Sequence, residues 1–307
     1  MRDHTPESGH VVTTAGEERK QDQVETIYFT GCAGVRLVGD RRGRVGAPMV
    51  LLLHGGGQTR HAWAGAAKRI ANAGYCAITL DSRGHGESDW APDGNYSVDD
   101  MADDIRRVVE QVGGSPTIVG ASMGGITAMV AVGEGLLPTV NRLVLVDIAP
   151  RLERSGVERI LTFMSANPNG FASLEEVRAL VAAYNPNRPP PKDNTGLLKN
   201  LRLGTDGRYR WHWDPRFLND ATRTDAGEAL VQLERRLAAA RGVRIPTLLV
   251  RGASSDVVSA EGARELLELI PQAKIVDIAG AGHMVAGDRN DVFADAVLAF
   301  LNANPSA

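Results

Sequence analysis

The sequence has little of several features that identify whole classes of protein. It contains two cysteines, Cys32 and Cys76, in 307 residues, too few for a disulfide framework and in keeping with a reducing cytoplasm. Its net charge is −3, from 34 basic and 37 acidic residues, whereas nucleic-acid-binding domains are usually distinctly basic. No apolar run approaches the ~18 residues that a membrane helix needs. We therefore expect a cytoplasmic α/β protein that is an enzyme and has no nucleic-acid or membrane partner.

Hydrophobic residues make up 43% and charged residues 23% of the chain, the balance of a globular protein with a sizeable core. Short strand-like runs alternate with amphipathic helical segments, which indicates a mostly parallel sheet flanked by helices. A hairpin begins this pattern, and apolar runs that end in glycine or aspartate are typical of strands buried on both faces. The eight predicted strands are residues 24–30, 35–40, 49–53, 76–80, 117–119, 143–146, 247–250 and 274–278.

The alternation is interrupted once, after the sixth strand. Residues 151–241 show helical patterns and loops but no buried strand, and a structureless loop of that length is uncommon in a compact domain. We expect a helical cap there, inserted into a core formed by residues 24–150 and 242–307. Residues 1–23 are polar and mixed in charge, without the apolar stretch of a signal peptide, which predicts a disordered leader.

The strongest motif is Gly-Ala-Ser-Met-Gly at residues 120–124. It matches the G-x-S-x-G pattern and lies between a buried strand and an apolar helix, where a strained turn would expose the hydroxyl of Ser122. Glycines on either side allow the strand and the helix to approach closely. The motif alone is weak, and its place between a strand and a helix makes it strong.

Three further segments complete a pattern that resembles the α/β-hydrolase fold family over residues 24–301. These are His-Gly-Gly-Gly at 54–57, Asp-Ser-Arg-Gly-His-Gly-Glu-Ser at 81–88 and Gly-His at 282–283. The resemblance implies a serine-nucleophile, esterase-like enzyme with a helical cap. It places the base at His283, in keeping with the chain order Ser, acid, His that this fold uses.

The acid that orients the base should be a carboxylate at a strand end between Ser122 and His283. Two residues fit. We favour Asp256, which follows the strand after the insertion, at the position that the resemblance implies. Asp147 is the alternative, since some similar enzymes place the acid one strand earlier.

Two backbone N–H groups should form the oxyanion hole: that of Met123, directly after the nucleophile, and that of Gly56 in the glycine run. This run lacks the G-x-x-x-x-G-K-[ST] spacing of a phosphate loop. No histidine or carboxylate pair has metal-ligand spacing. We expect no cofactor and no metal. Arg83 and His85 are expected to brace loops rather than to act in catalysis.

The residue at the centre of the G-x-S-x-G turn distinguishes this chain from enzymes with related activities. Haloalkane dehalogenases and epoxide hydrolases resemble this chain, including a tryptophan after the first glycine turn (Trp63), but use an aspartate where this chain has Ser122. A serine with a histidine base suits acyl transfer from an ester, thioester or lactone. The leading hypothesis is a hydrolase of small or medium apolar esters. The alternatives are a carbon–carbon bond hydrolase of vinylogous diketones and a non-catalytic, hydrolase-like receptor.

Substrate choice should lie in the cap. Its helices are expected to cover Ser122 with an apolar pocket, and the aromatic residues that could line it are Trp63, Phe163, Trp211 and Trp213, with Met164 and Phe217 as further candidates. Core packing is an equally good explanation for each of them. The expected partner is a small-molecule substrate, and the sequence leaves a homodimer open.

Overall fold

A computed structural model describes residues 23–186, 194–219, 226–285 and 290–303. The predicted leader therefore lies outside the described residues, apart from residue 23. Within the described ranges, no helix is long and apolar enough to cross a membrane.

An eight-stranded sheet forms the centre of the molecule, as the sequence predicted. The strands are β1 Glu25–Thr30, β2 Arg36–Arg42, β3 Met49–Leu53, β4 Cys76–Leu80, β5 Thr117–Ala121, β6 Arg142–Val146, β9 Thr247–Gly252 and β10 Lys274–Ile278. Their spatial order is β1-β2-β4-β3-β5-β6-β9-β10. β2 is antiparallel to β1 and β4, and the remaining pairs are parallel.

Helices cover both faces of this sheet, and each face has its own apolar core. The core helices are α1 Ala64–Asn72, α2 Val98–Val112, α3 Met123–Gly133, α8 Ala260–Leu269 and α9 Asn290–Asn302. One core includes side chains of α2, α3 and α8, and the other those of α1 and α9. The central strands are buried on both sides by these layers, which is why they consist of mostly apolar runs.

Local signals explain where these helices begin. The hydroxyl of Ser97 accepts a hydrogen bond from the N–H of Asp100, the N-cap predicted from the sequence. Two aspartates in the first turn of α2 add a favourable interaction with the helix dipole.

The insertion between β6 and β9 contains helices and one small sheet. Its described helices are α4 Arg154–Ser165, α5 Leu174–Tyr184, α6 Thr195–Leu198 and α7 Ala226–Gly242. The sheet pairs β7 Leu201–Leu203 with β8 Tyr209–Trp211 in antiparallel register. The sequence predicted helices and loops here, without a buried strand. Three-residue strands that are half exposed lack a buried apolar run, so the pattern that identified the core strands did not detect them.

Candidate active site

Ser122 lies on a sharp turn between β5 and α3. Its backbone has φ 45° and ψ −115°, a region that non-glycine residues rarely occupy and that often marks a functional site. The turn depends on its glycines. A Cβ atom at Gly120 would lie 2.6 Å from the carbonyl oxygen of Gly124, and one at Gly124 would lie 2.7 Å from Cβ of Leu53. Strand, turn and helix are thus packed too closely for any side chain at either position.

A buried histidine–carboxylate pair lies at the same end of the sheet. Nδ1 of His283 is 2.7 Å from Oδ2 of Asp147, which directly follows β6 and is fully buried. The carboxylate also accepts hydrogen bonds from the N–H of Gly252 at 2.9 Å and from the hydroxyl of Ser255 at 2.5 Å. Donation from Nδ1–H of His283 to this carboxylate selects the tautomer in which Nε2 is the acceptor.

Asp256, which the sequence analysis favoured as the partner of His283, is not brought to it. Its carboxylate forms a bidentate ion pair with Arg159 of α4, at 2.6 and 3.0 Å, and its side chain is 38% exposed. The turn after β9 directs the Ser255 side chain towards Asp147 and that of Asp256 outward. Chain order admitted both aspartates, but the direction of the turn places only Asp147 at the histidine.

Residues 54–57 run beside Ser122. A Cβ atom at Gly55 would lie 3.2 Å from Cβ of Ser122. The N–H groups of Gly55 and Gly57 are engaged, with Oε1 of Gln58 at 3.1 Å and Nε2 of His85 at 3.2 Å. Within the described part of the chain, the N–H of Gly56 between them has no acceptor.

The N–H of Met123 is similarly placed. Met123 is the first residue of α3, so its N–H has no partner within the helix. The N–H groups on either side are bonded, that of Ser122 to the carbonyl of Val146 and that of Gly124 to the carbonyl of His54. The two donors predicted from the sequence, at Gly56 and Met123, thus both lack an acceptor among the described residues.

The loop at residues 81–88 is held rigidly beside this site. The side chain of Arg83 is 1% exposed and donates to both carboxylate oxygens of Asp104, at 2.6 and 2.8 Å. The buried carboxylate of Asp81 accepts the backbone N–H of Arg60 at 2.6 Å and pairs with its guanidinium. Burial with complete pairing is consistent with the bracing role expected for Arg83.

Three buried histidines connect this loop to residues 55–57. The exposed fractions of His54, His85 and His212 are 0%, 0% and 2%, and their ring centroids are 5.2 Å apart for His54 and His85 and 5.7 Å apart for His85 and His212. Burial lowers the pKa of His54 to about 4 and that of His85 to about 3, and it also lowers the pKa of His212. All three are thus neutral at pH 7. No role was predicted for His212 from the sequence.

Acid is expected to destabilise the fold through these histidines. In the unfolded chain their pKa is ~6.5, so that between pH 6.5 and 5 the unfolded state takes up protons that the folded state does not. We expect the free energy of unfolding to fall by about 2 kcal/mol for each of His54 and His85 when the pH is lowered from 7.5 to 5. Carboxylates contribute little in this window because they titrate below it. Urea unfolding at pH 7.5, 6.5 and 5 measures the loss, and constant midpoints would contradict it.

A cavity of about 340 Å³ opens beside His283 and Ala121, the residue that precedes Ser122. Its apolar lining includes Trp63, one of the four aromatic residues named from the sequence. Lys199 and Asn200, which the sequence analysis did not identify, supply part of its polar lining. Lys199 is exposed and Asn200 is half-buried, and their position after a four-residue helix carries no sequence pattern that would have identified them.

The other predicted aromatic residues lie in the insertion. Trp211 and Trp213 stack with ring centroids 4.9 Å apart, and Phe163 stacks on Tyr184 at 4.2 Å. They form a cluster over the glycine run: a Cβ atom at Gly57 would lie 3.3 Å from the ring of Trp213. Among the described residues none of these three lines the 340 Å³ cavity, so that their contribution to substrate binding stays a prediction.

No group of three or more histidine, cysteine, aspartate or glutamate side chains in the described ranges is arranged to hold a metal ion. The three buried histidines are instead fully used in hydrogen bonds to backbone groups.

Comparison with known proteins identifies the fold family. A family model for the alpha/beta hydrolase fold matches residues 48–289. An esterase of Mycobacterium tuberculosis is 30% identical over 286 residues, which cover 90% of this chain and 88% of the esterase. Its crystal structure superposes with a TM-score of 0.72, at 28% identity and 92% coverage of both chains.

Two further relatives have other substrates in their names. A mouse sn-1-specific diacylglycerol lipase is 29% identical, covering 83% of this chain and 81% of the lipase. The 2-(acetamidomethylene)succinate hydrolase of Mesorhizobium japonicum is 27% identical, covering 83% of this chain and 88% of that enzyme. A crystal structure of an E-2-(acetamidomethylene)succinate hydrolase shares the fold with a TM-score of 0.78 at 24% identity, covering 92% of this chain and all of that one.

Proposed function

The chain belongs to the α/β-hydrolase family, and from this premise we propose that it is a carboxylic-ester hydrolase that works through an acyl-enzyme on Ser122. The observation that carries the proposal is the buried His283–Asp147 pair, 2.7 Å apart, at the end of the sheet where Ser122 occupies its strained turn. Relatives that cover more than four fifths of this chain include an esterase and a lipase.

The proposed mechanism begins with proton transfer. Nε2 of His283 accepts the proton of the Ser122 hydroxyl as the serine oxygen attacks the carbonyl carbon of the ester. Asp147 holds the imidazole in the tautomer that this transfer needs and stabilises the imidazolium that results. The acid in this proposal is thus Asp147, and no longer the Asp256 favoured from the sequence.

The tetrahedral intermediate carries its negative charge on the former carbonyl oxygen. The N–H groups of Gly56 and Met123, which have no acceptor among the described residues, are the proposed donors to this oxygen. Each such donor typically contributes about 3 kcal/mol to the stability of the transition state. His283 then returns its proton to the leaving alkoxide, and a water molecule, activated by the same base, releases the acid from Ser122.

Hydrolysis of carbon–carbon bonds in vinylogous diketones is the second candidate from the sequence, and a receptor without catalysis is the third. The test compares purified wild-type protein on 4-nitrophenyl acetate, butyrate and hexanoate with its action on a coloured ring-cleavage diketone. We expect turnover of the esters and stoichiometric labelling of Ser122 by a fluorophosphonate. Clearance of the diketone without ester turnover would favour the second candidate, and inertness to all substrates and to the label would favour the receptor.

The lining of the cavity adds an expectation about charge. Lys199 is exposed, and in the described part of the chain it pairs with no carboxylate, while no aspartate or glutamate lines the cavity. Its positive charge contributes to the lowered pKa of His61, another lining residue, after burial and the charge of Arg60. We therefore expect the cavity to favour an ester with a distal carboxylate over an apolar ester of the same length.

We expect kcat/KM for the 4-nitrophenyl monoester of adipic acid to exceed that for 4-nitrophenyl hexanoate by about two- to fivefold at low salt, the size of an exposed ion pair. Lys199→Met should abolish the preference. Lys274→Met, at an exposed lysine of β10 outside the cavity lining, is the matched control. If Lys199→Met still prefers the monoester of adipic acid, a group other than Lys199 causes the preference.

A further inference from the structure

We propose that His54, His85 and His212 are positioning residues that hold three successive peptide groups of the glycine run, and that docking of the insertion through His212 thereby completes the oxyanion hole. The inference rests on the proposed function, because it concerns the orientation of the Gly56 N–H towards the reacting carbonyl.

Each histidine holds a different peptide group. Nδ1–H of His54 donates to the carbonyl oxygen of Gly55 at 2.8 Å, which fixes the peptide group between Gly55 and Gly56. Nε2 of His85 accepts the N–H of Gly57 at 3.2 Å, which fixes the next peptide group. Nε2–H of His212 donates to the carbonyl oxygen of Gly57 at 3.4 Å, which fixes the third.

The first of these bonds sets the direction of the proposed oxyanion donor. The carbonyl of Gly55 and the N–H of Gly56 belong to one planar trans peptide group, in which they point in opposite directions. The bonds on the next two peptide groups prevent rotation about the backbone of Gly56 and Gly57. Without such bonds glycines would sample many backbone conformations. Gly57 has φ +73°, a conformation that glycine adopts readily and other residues rarely adopt.

The second ring nitrogen of each histidine is anchored on the rigid loop at residues 82–86. Nε2 of His54 accepts the N–H of Ser82 at 3.0 Å. Nδ1–H of His85 donates to the carbonyl of Arg83 at 3.1 Å. Nδ1 of His212 accepts the N–H of Gly86 at 2.7 Å. All six ring nitrogens thus connect the glycine run to one loop, and that loop is itself held by the pair of Arg83 and Asp104.

His212 differs from the other two because it belongs to the insertion. It directly follows β8, and its neighbours also dock: the N–H of Asp214 bonds to the carbonyl of Gly84 at 2.8 Å, and the carboxylate of Asp214 accepts the hydroxyl of Tyr96 at 2.6 Å. The insertion therefore contributes one of the three bonds that orient the glycine run. A displaced insertion would leave the Gly57 carbonyl unheld while the bonds from His54 and His85 remained.

Two substitutions at His212 separate its two bonds. In His212→Asn the side-chain oxygen takes the place of Nδ1 and keeps the bond to Gly86, but no group reaches Gly57. In His212→Gln the longer side chain places an N–H donor near the position of Nε2 and can restore the bond to Gly57. We expect His212→Asn to lower kcat by about 10- to 100-fold with little change in KM, because the oxyanion exists only in the transition state. His212→Gln should recover most of kcat.

Three measurements decide the outcome. Thermal unfolding of each variant shows whether it is folded, and labelling of Ser122 by a fluorophosphonate counts competent serines, so that kcat refers to active protein. Equal kcat in wild type and folded His212→Asn, a rise in KM alone, or an equal loss in both variants would overturn the inference. Should His212→Asn not fold, His85→Gln and His85→Asn give the same comparison at the Gly57 N–H, where the longer side chain supplies the acceptor. Failure of the proposed function would appear separately, as ester turnover in the wild type that does not depend on Ser122.

Discussion

Asp147→Asn is expected to lower kcat by about 10⁴-fold, whereas Asp256→Asn should leave it within about threefold of wild type. An asparagine at position 147 would present either a neutral acceptor or an N–H donor to Nδ1 of His283, and in the second case the proton moves to Nε2, where it blocks removal of the Ser122 proton. Loss of catalysis by about this factor is the known consequence of the wrong tautomer in a serine–histidine–aspartate site. Steady-state kinetics on 4-nitrophenyl butyrate measure both variants.

The two aspartates serve as controls for each other, since the same substitution is made at two strand ends. Asp256→Asn removes the ion pair with Arg159, which is partly exposed and contributes about 1 kcal/mol or less to stability. Its effect should therefore appear, if anywhere, in a small shift of the unfolding temperature. A large loss of kcat in Asp256→Asn together with a nearly wild-type kcat in Asp147→Asn would reverse the assignment of the acid.

Ser122→Ala is expected to reduce kcat by about 10⁵-fold or more, to a residual rate that binding and the oxyanion hole alone support. The substitution removes the only atom that forms the proposed acyl-enzyme. It should also abolish labelling by a fluorophosphonate, which mass spectrometry of the intact protein detects. Alanine keeps the Cβ atom and therefore the same backbone strain at φ 45°, so the substitution is expected to leave the stability of the fold nearly unchanged.

Ser165→Ala is the matched control for this experiment. Ser165 is exposed at the end of α4, and its hydroxyl bonds only to carbonyls of its own helix. Its loss should change neither turnover nor labelling. Ester hydrolysis that persists in Ser122→Ala at the wild-type rate would contradict the serine mechanism, whatever the behaviour of the control.

The fold was largely predictable because its signals are local. Five-residue, mostly apolar runs such as Met49–Leu53 and Cys76–Leu80 mark buried strands, and a serine shortly before two aspartates marks the start of α2. The antiparallel pair of β7 and β8 was missed, since half-exposed strands of three residues lack the apolar pattern on which strand prediction depends.

In the candidate site, too, local sequence patterns identified some residues and not others. Ser122 was identified from neighbours in the sequence, because a strained turn between strand and helix requires glycines at fixed spacing. The partner of His283 was not identifiable in this way. Asp147 and Asp256 both follow strands of the sheet, and only the course of the turn after β9 decides that one carboxylate is buried against the imidazole and the other pairs with Arg159.

The sequence by itself therefore determined the family, the sheet, the serine turn and the histidine that serves as the candidate base, because each depends on residues within a few positions of one another. Only the tertiary structure decided which aspartate meets His283, which residues line the cavity, and that His212 meets the glycine run. These contacts join residues more than 100 positions apart, and their geometry follows from the packing of whole elements rather than from any local pattern.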